Sequence, residues 1–301
     1  MNRRAFFGTT LGTTLGAIHA FGADQPRCAA PAGVNERLAV ASYPFRKELD
    51  LKNATMKLVD FPAMVAQRFG VHGIEPLDEH FPTMDPLYLH EFNKAVDQAG
   101  AHVVNIPVGR LHGSFNDPDA SKRKAAIETA RKWIDVAALI KSPGVRVHIA
   151  PVQGVASDVP RTGEALAEVA RYGASKGIVV NLENDDPASE EAFYIVGAIE
   201  KVNSPWLRAL PDFCNSMLLN KGEDYNYRAM TAMFKHACNI SHLKEIETDE
   251  GKTYRIDLKK TFGIAKAANY RGFYSAEWDS DGDPYAGTAR LIQSARMILS
   301  T

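Results

Sequence analysis

Eight short apolar runs recur along this chain, each followed by a longer stretch with apolar residues at helical spacing. The runs are RLAVASYPF (37–45), VHGIEPL (71–77), AHVVNIPV (101–108), VRVHIAP (145–151), IVVNLEN (178–184), LRALPDFC (207–214), CNISHLKEI (238–246) and GFYSAEWD (272–279). Helical patterns lie between and after them, at about 58–69, 86–100, 119–141, 162–175, 188–202, 226–237, 257–269 and 284–299. Glycines at 70, 100 and 177 close three of these stretches, as left-handed helix ends require. Asp283-Pro284 opens the last one as N-cap and first helical residue. Strands that alternate with helices imply a parallel sheet. Eight such units in a chain of 301 residues fit one closed (β/α)8 barrel, typically about 250 residues. The competitor, an open doubly wound sheet, carries fewer strands. SYPFRKE follows the first run where a dinucleotide fold would place G-x-G-x-x-G.

Residues 1–35 stand apart from this pattern. Arg3-Arg4 precede Phe6-Phe7, then a weakly apolar stretch of Gly, Thr, Leu and Ala, then small residues between Ala20 and Ala23. That layout predicts a twin-arginine-like export signal and a connector, with the barrel in 36–301 and the mature protein in the periplasm or otherwise exported. The interrupted apolar stretch does not suit a permanent membrane span. Cys28, Cys214 and Cys238 show no C-x-x-C spacing, so neither a disulfide framework nor a zinc knuckle is expected. Stability should rest on the core.

Net charge is -1, with 45% apolar and 24% charged residues. Such a balance gives no electrostatic case for nucleic acid or an anionic membrane. Homo-oligomerisation stays open.

In a (β/α)8 barrel the chemistry lies at the C-terminal ends of the strands. The fifth to eighth runs end in Glu183, Asp212, His242 and Glu277, spaced 29, 30 and 35 residues apart, close to one βα repeat each time. Taken singly, each carboxylate reads as a helix cap or loop residue, and the histidine as a core residue. Four in succession read as a convergent set. Three carboxylates and an imidazole suit a divalent ion such as Mn²⁺, Mg²⁺ or Co²⁺; a structural zinc site would use Cys and His. The aspartates after Glu277 do not make a calcium loop. Counting from Asp279, Pro284 stands where an EF-hand needs glycine and Arg290 where it needs glutamate.

SYPF, GIEP, NLEN, PDF, SHLKE and AEWDSDGDPY together resemble the xylose isomerase-like barrels, a superfamily of sugar isomerases and epimerases, over most of 37–299. The resemblance implies that Glu183, Asp212, His242 and Glu277 hold one divalent ion, Mn²⁺ first, with Mg²⁺, Co²⁺ or Zn²⁺ as alternatives. It implies that Glu183 and Glu277 are the acid/base pair of an enediolate mechanism. Two departures bear on the substrate. Ketose epimerases of this family often carry a second Glu after the first ligand, where Asp185 and Asp186 stand here. They often carry a His one turn after the Asp ligand, where Asn215 stands.

Further candidates follow from position. His148 can hold a substrate hydroxyl. Lys244, two residues after His242 and on the same face, can stabilise an oxyanion or pair with a carboxylate. Glu75 can contact sugar hydroxyls or form a rim ion pair. Asn215 is a candidate substrate contact, and Tyr43 or Phe45 can pack on a sugar face. His72 and His102 begin their strands and belong at the barrel bottom. The same metal and bases can also expel a group β to a carbonyl, so a lyase or dehydratase acting on keto-sugars or keto-glycosides remains an alternative. A non-catalytic sugar-binding barrel would be expected to lose one or more of the four ligands. An endonuclease of this fold would need more histidines and a basic groove.

Overall fold

The computed structural model describes residues 25, 26 and 28–301; the predicted export signal lies outside them, apart from the connector. Eleven strands form: β1 (Leu38–Ala41), β2 (Gly73–Glu75), β3 (His102–Val103), β4 (Ile106–Val108), β5 (Gly144–Val147), β6 (Val179–Glu183), β7 (Leu207–Leu210), β8 (Ile240–Leu243), β9 (Ile246–Asp249), β10 (Lys252–Arg255) and β11 (Phe273–Ala276). The helices are α1 (Arg46–Leu49), α2 (Phe61–Phe69), α3 (Pro86–Gln98), α4 (Ala120–Leu139), α5 (Val159–Lys176), α6 (Ala192–Val202), α7 (Glu223–Phe234), α8 (Leu258–Ala267) and α9 (Pro284–Leu299).

The parallel ladders run β3-β2-β1-β11-β8 and β4-β5-β6-β7. Two joints close them into a ring. β3 and β4 are halves of the third predicted run, interrupted after Val103; Pro107 in β4 has no N–H to give to a ladder. Beyond β7, His242 N donates to Pro211 O at 3.0 Å and Phe213 N donates to His242 O at 3.2 Å. The result is the predicted eight-stranded (β/α)8 TIM barrel with helices outside.

Helix ends follow the sequence signals. Asp85, Asp119, Asp158, Asp257 and Asp283 each accept a first-turn backbone N–H, and Gly70 and Gly177 close α2 and α5 in the left-handed conformation. Two boundaries differ from expectation. α6 starts at Ala192 rather than near 188, because Glu191 caps it. The seventh run does not simply end at 246. It continues into the antiparallel hairpin β9–β10, turned by Glu250 and Gly251, both at positive φ.

The expectation of no disulfide is overturned. Cys28 and Cys238 are bonded across 210 residues of sequence. The pairing was invisible because the connector returns to the base of the barrel. There Ala29 N donates to Asn239 Oδ1 at 3.0 Å, and Ala29 packs on a cluster of Ala39, Val104, Leu210, Ile240 and Phe273. Cys214 is free and buried. Among the described residues no helix is long and apolar enough to cross a membrane.

Candidate active site

The C-terminal strand ends bring the four expected ligands together. Glu183 ends β6, His242 lies within β8, Glu277 follows β11 directly, and Asp212 follows β7 after Pro211. All four are buried, and one potential ligand atom from each lies within 4.8 Å of the others. Parallel strands at about 4.8 Å spacing make that convergence possible.

The local bonding fits a cation. Asp212 Oδ1 accepts the N–H groups of Cys214 (2.8 Å) and Asn215 (2.7 Å). Its Oδ2 is buried without a hydrogen bond and lies 3.5 Å from Lys244 Nζ. A buried carboxylate oxygen without a donor is costly unless a cation faces it. Burial, with Glu183 and Glu277 adding repulsion against the pull of Lys244, pushes the Asp212 carboxyl up to about 6. His242 Nδ1 faces Glu183 Oε1 at 2.7 Å and Glu277 Oε2 at 3.3 Å. Burial opposes charge on this ring, but Glu183, Glu277 and Glu75 outweigh it and raise its pKa well above the usual imidazole value. Glu277 is likewise opposed by burial, yet His242 and Lys244 bring it down to about 2 and keep it ionised.

The other expected residues divide. Lys244 Nζ donates to Asn215 Oδ1 at 2.9 Å and lies 3.2 Å from Glu277 Oε2 and 3.6 Å from Glu247 Oε2. It pairs with carboxylates, the second of its two expected roles. Asn215 also donates to Glu183 Oε1 at 3.3 Å; it is buried and braces ligands. Glu75 is corrected more sharply. It is fully buried beneath His242, with both oxygens 3.1 Å from Nε2, and so faces the histidine instead of a sugar. Such a carboxylate behind a histidine fixes which ring nitrogen faces a metal, here Nδ1. Phe45 is also corrected. It is 1% exposed and packs on Phe61, Phe69 and Tyr285, because β1 gives way after Ala41 to a helical turn that swings the ring outward into the core. Tyr43 does reach the cavity, where its hydroxyl donates to Asp279 Oδ2 at 3.1 Å. His148 lines the cavity between Asp185 and Glu190.

Three side chains were missed. Arg146 is buried against Glu183 Oε2 (Nε, 2.8 Å) and Asp185 Oδ2 (Nη2, 3.2 Å), so both Glu183 oxygens are engaged. In VRVHIAP it stands two residues before His148, and two polar residues at period two in an apolar run mark an inward face. Glu190 comes from a loop and Glu247 from the inserted β9–β10 hairpin, whose paths the barrel's strand–helix periodicity does not encode. Burial raises Glu247 to about 7, against the pull of Lys244.

The cavity above the ligands holds about 230 Å³, and Tyr43, Arg146, His148, Lys244, Glu247 and Glu277 are among its walls. That is below the roughly 300–1,000 Å³ of drug-sized clefts and suits a small polar molecule. A larger groove of about 770 Å³ lies outside the barrel between α8 and α9 and contains none of these ligands.

A family model described as xylose isomerase-like TIM barrel matches residues 64–300. The chain belongs to that family. Solved structures of this xylose isomerase-like fold superpose over nearly their full length. A D-allulose 3-epimerase from Methylomonas sp. is 15% identical, with TM-score 0.69 over 90% of this chain and 99% of that one. A 3-keto-D-glucoside 4-epimerase from E. coli is 14% identical, with TM-score 0.64 over 87% and 99%. A xylose isomerase-like protein from Mycobacterium smegmatis in complex with magnesium is 15% identical, with TM-score 0.69 over 90% and 99%. At these identities the likeness is one of fold. None of the curated proteins is significantly similar to the chain.

Proposed function

We propose that this protein is a divalent-metal-dependent sugar isomerase or epimerase that takes a proton from the carbon next to a carbonyl. The observation that carries the reading is Asp212 Oδ2, buried without a hydrogen bond within the cluster of Glu183, His242 and Glu277. Those four side chains would hold the ion, for which Mn²⁺ is the first choice and Mg²⁺, Co²⁺ or Zn²⁺ the alternatives. A bound divalent ion supplies Lewis acidity toward the carbonyl. Neighbours of the same fold that are named for allulose and for a 3-keto-glucoside support a small carbohydrate as substrate.

The chain's own residues divide the remaining tasks. Glu277 is ionised and stands on the cavity wall, placed to remove the carbon-bound proton. Glu183, its expected partner, is held by Arg146 on one oxygen and by His242 and Asn215 on the other, which leaves neither oxygen free to reach a substrate. Lys244 neutralises Asp212, Glu247 and Glu277 and keeps Glu277 charged. Export remains part of the proposal, supported by the Cys28–Cys238 disulfide, which suits an oxidising compartment.

Metal analysis of the purified protein beside Asp212→Asn and His242→Ala tests the centre. The expected result is about one divalent ion per chain, lost in both variants. Incubation of the metal-loaded protein with keto-sugars in D₂O should then incorporate deuterium next to the carbonyl, and Glu277→Gln should abolish it. A protein that binds no metal under any loading condition would sink the reading.

A further inference from the structure

Two buried cations stand against the four candidate ligands, and each touches carboxylates of two kinds. Arg146, on β5, has Nε 2.8 Å from Glu183 Oε2 and Nη2 3.2 Å from Asp185 Oδ2. Lys244 Nζ lies 3.5 Å from Asp212 Oδ2, 3.2 Å from Glu277 Oε2 and 3.6 Å from Glu247 Oε2. Glu183, Asp212 and Glu277 belong to the convergent set. Asp185 and Glu247 do not, although both line the same cavity. Each cation therefore sits between inner carboxylates and an outer one. Left unpaired, the outer carboxylates would add oxygens to the cluster.

The inner carboxylates are also rationed in the oxygens they can offer. Asp212 Oδ1 accepts two backbone N–H groups, from Cys214 and Asn215, which leaves Oδ2 for an ion. Glu183 Oε2 faces the Arg146 guanidinium, which leaves Oε1, the oxygen 2.7 Å from His242 Nδ1. The Arg146 contact acts through charge and close packing, since Nε and Oε2 meet without an aligned hydrogen bond. Glu183 and Asp212 thus offer one oxygen each, and His242 offers a nitrogen. Such a set is poor for Ca²⁺, which takes roughly six to eight oxygens and often both oxygens of a carboxylate. It suits smaller ions that accept an imidazole and keep positions open.

Neutralisation of Glu183 is the simpler task that Arg146 could have. It would weaken the binding of every divalent ion alike and select none. The guanidinium is a planar fork, however, and it reaches two carboxylates at once. Glu183 ends β6 and Asp185 comes two residues later, so the fork fixes both side chains at the end of one strand. We propose that Arg146 is a positioning residue that keeps Glu183 a one-oxygen ligand and Asp185 outside the cluster, and thereby closes the centre to Ca²⁺. Lys244 does the same for Glu247 from the side of β8. The inference rests on the proposed function, because it takes the four ligands as its starting point. It adds which ion the centre refuses and which residue refuses it. An ion that took both Glu183 oxygens would also have one position fewer for the oxygens of a substrate.

Calorimetric titration of the metal-free full chain with MnCl₂ and with CaCl₂ tests this without any substrate. The wild type should bind Mn²⁺ at least roughly 100-fold more tightly than Ca²⁺. Mn²⁺ and Ca²⁺ carry the same charge, so a loss of repulsion alone would tighten both by the same factor. Arg146→Met should instead raise Ca²⁺ affinity relative to Mn²⁺ by about tenfold or more, as a second carboxylate oxygen becomes available. Arg146→Lys keeps the charge without the fork and should fall between the two; it carries the test if Arg146→Met does not fold. An unchanged ratio in the folded variants would leave Arg146 a neutralising group and overturn the proposal. So would a folded variant that binds neither ion, and so would a wild type that holds Ca²⁺ as tightly as Mn²⁺. A wild type that binds no divalent ion at all sinks the proposed function, and this inference with it.

Discussion

Single side chains at the mouth of this barrel were legible when they ended an apolar run. Glu183, Asp212, His242 and Glu277 each break a hydrophobic pattern at a fixed place in a repeat. Arg146 sits inside its run, and its role depends on a neighbour from the next strand. Glu75 was visible as a strand end, but whether it faces a sugar or His242 is decided by depth in the barrel, which one run does not encode. His80 is a further residue whose burial no pattern announced. It is 2% exposed, with Nδ1 2.8 Å from Ser42 Oγ. Burial disfavours its charged form and lowers its pKa to about 4, against the opposite pull of Glu79. The folded value lies below the unfolded value of about 6.5, so the unfolded chain takes up the proton first as pH falls. Stability from this group is therefore full above about pH 6.5 and lost progressively toward pH 4, by up to about 3 kcal/mol. Denaturant titrations at pH 7 and pH 4.5 should show a smaller stability difference in His80→Gln than in the wild type. An unchanged difference would remove His80 from the acid sensitivity.

At the scale of elements, the strands carry more than their end residues. A chain of buried hydrogen bonds crosses the barrel below the site. Asn181 Nδ2 donates to Asn105 Oδ1 at 3.2 Å, Asn105 Nδ2 donates to Glu75 Oε1 at 2.9 Å, and Glu75 meets His242 Nε2. It links β6, the β3–β4 joint, β2 and β8. Gly144 at the start of β5 makes room for it, since a Cβ there would lie 2.9 Å from Asn181 Nδ2 and 3.1 Å from Asn105 Oδ1. Gly144→Ala should displace both amides, cost roughly 1–3 kcal/mol by overpacking, and weaken metal binding through the loosened Glu75–His242 contact. Calorimetric metal titration of the folded variant measures the second effect. Affinity equal to wild type would show that the chain of amides is structural only. Strand and helix order was readable here because each element buries one face at its own period. The break at Val104–Asn105 and the β9–β10 hairpin were not, because a polar lumen and a loop excursion both interrupt that period.

The whole molecule is closed twice, once by its strands and once by its connector. The barrel has no free edge, so neither end of the sheet offers a template for another strand. At its base, Ala29 covers the small apolar cluster around Ile240 and Phe273, and the Cys28–Cys238 bond fixes it there. The bond closes a loop that contains six of the eight barrel strands, from β1 to β7. Loop-closure entropy for about 210 residues gives a stabilisation of roughly 5 kcal/mol, reached mainly by restricting the unfolded chain. The four candidate metal ligands lie at the other end of the strands, and among the described residues none of their hydrogen bonds or ion pairs involves the connector. Cys28→Ser should therefore lower the melting temperature by roughly 5–10 °C while leaving metal stoichiometry and affinity as in the wild type. Reduction with a thiol should lower the wild-type melting temperature toward that of the variant and leave the variant unmoved. If Cys28→Ser lost metal as well as stability, the base and the mouth of the barrel would be coupled, and the disulfide would belong to the architecture of the site.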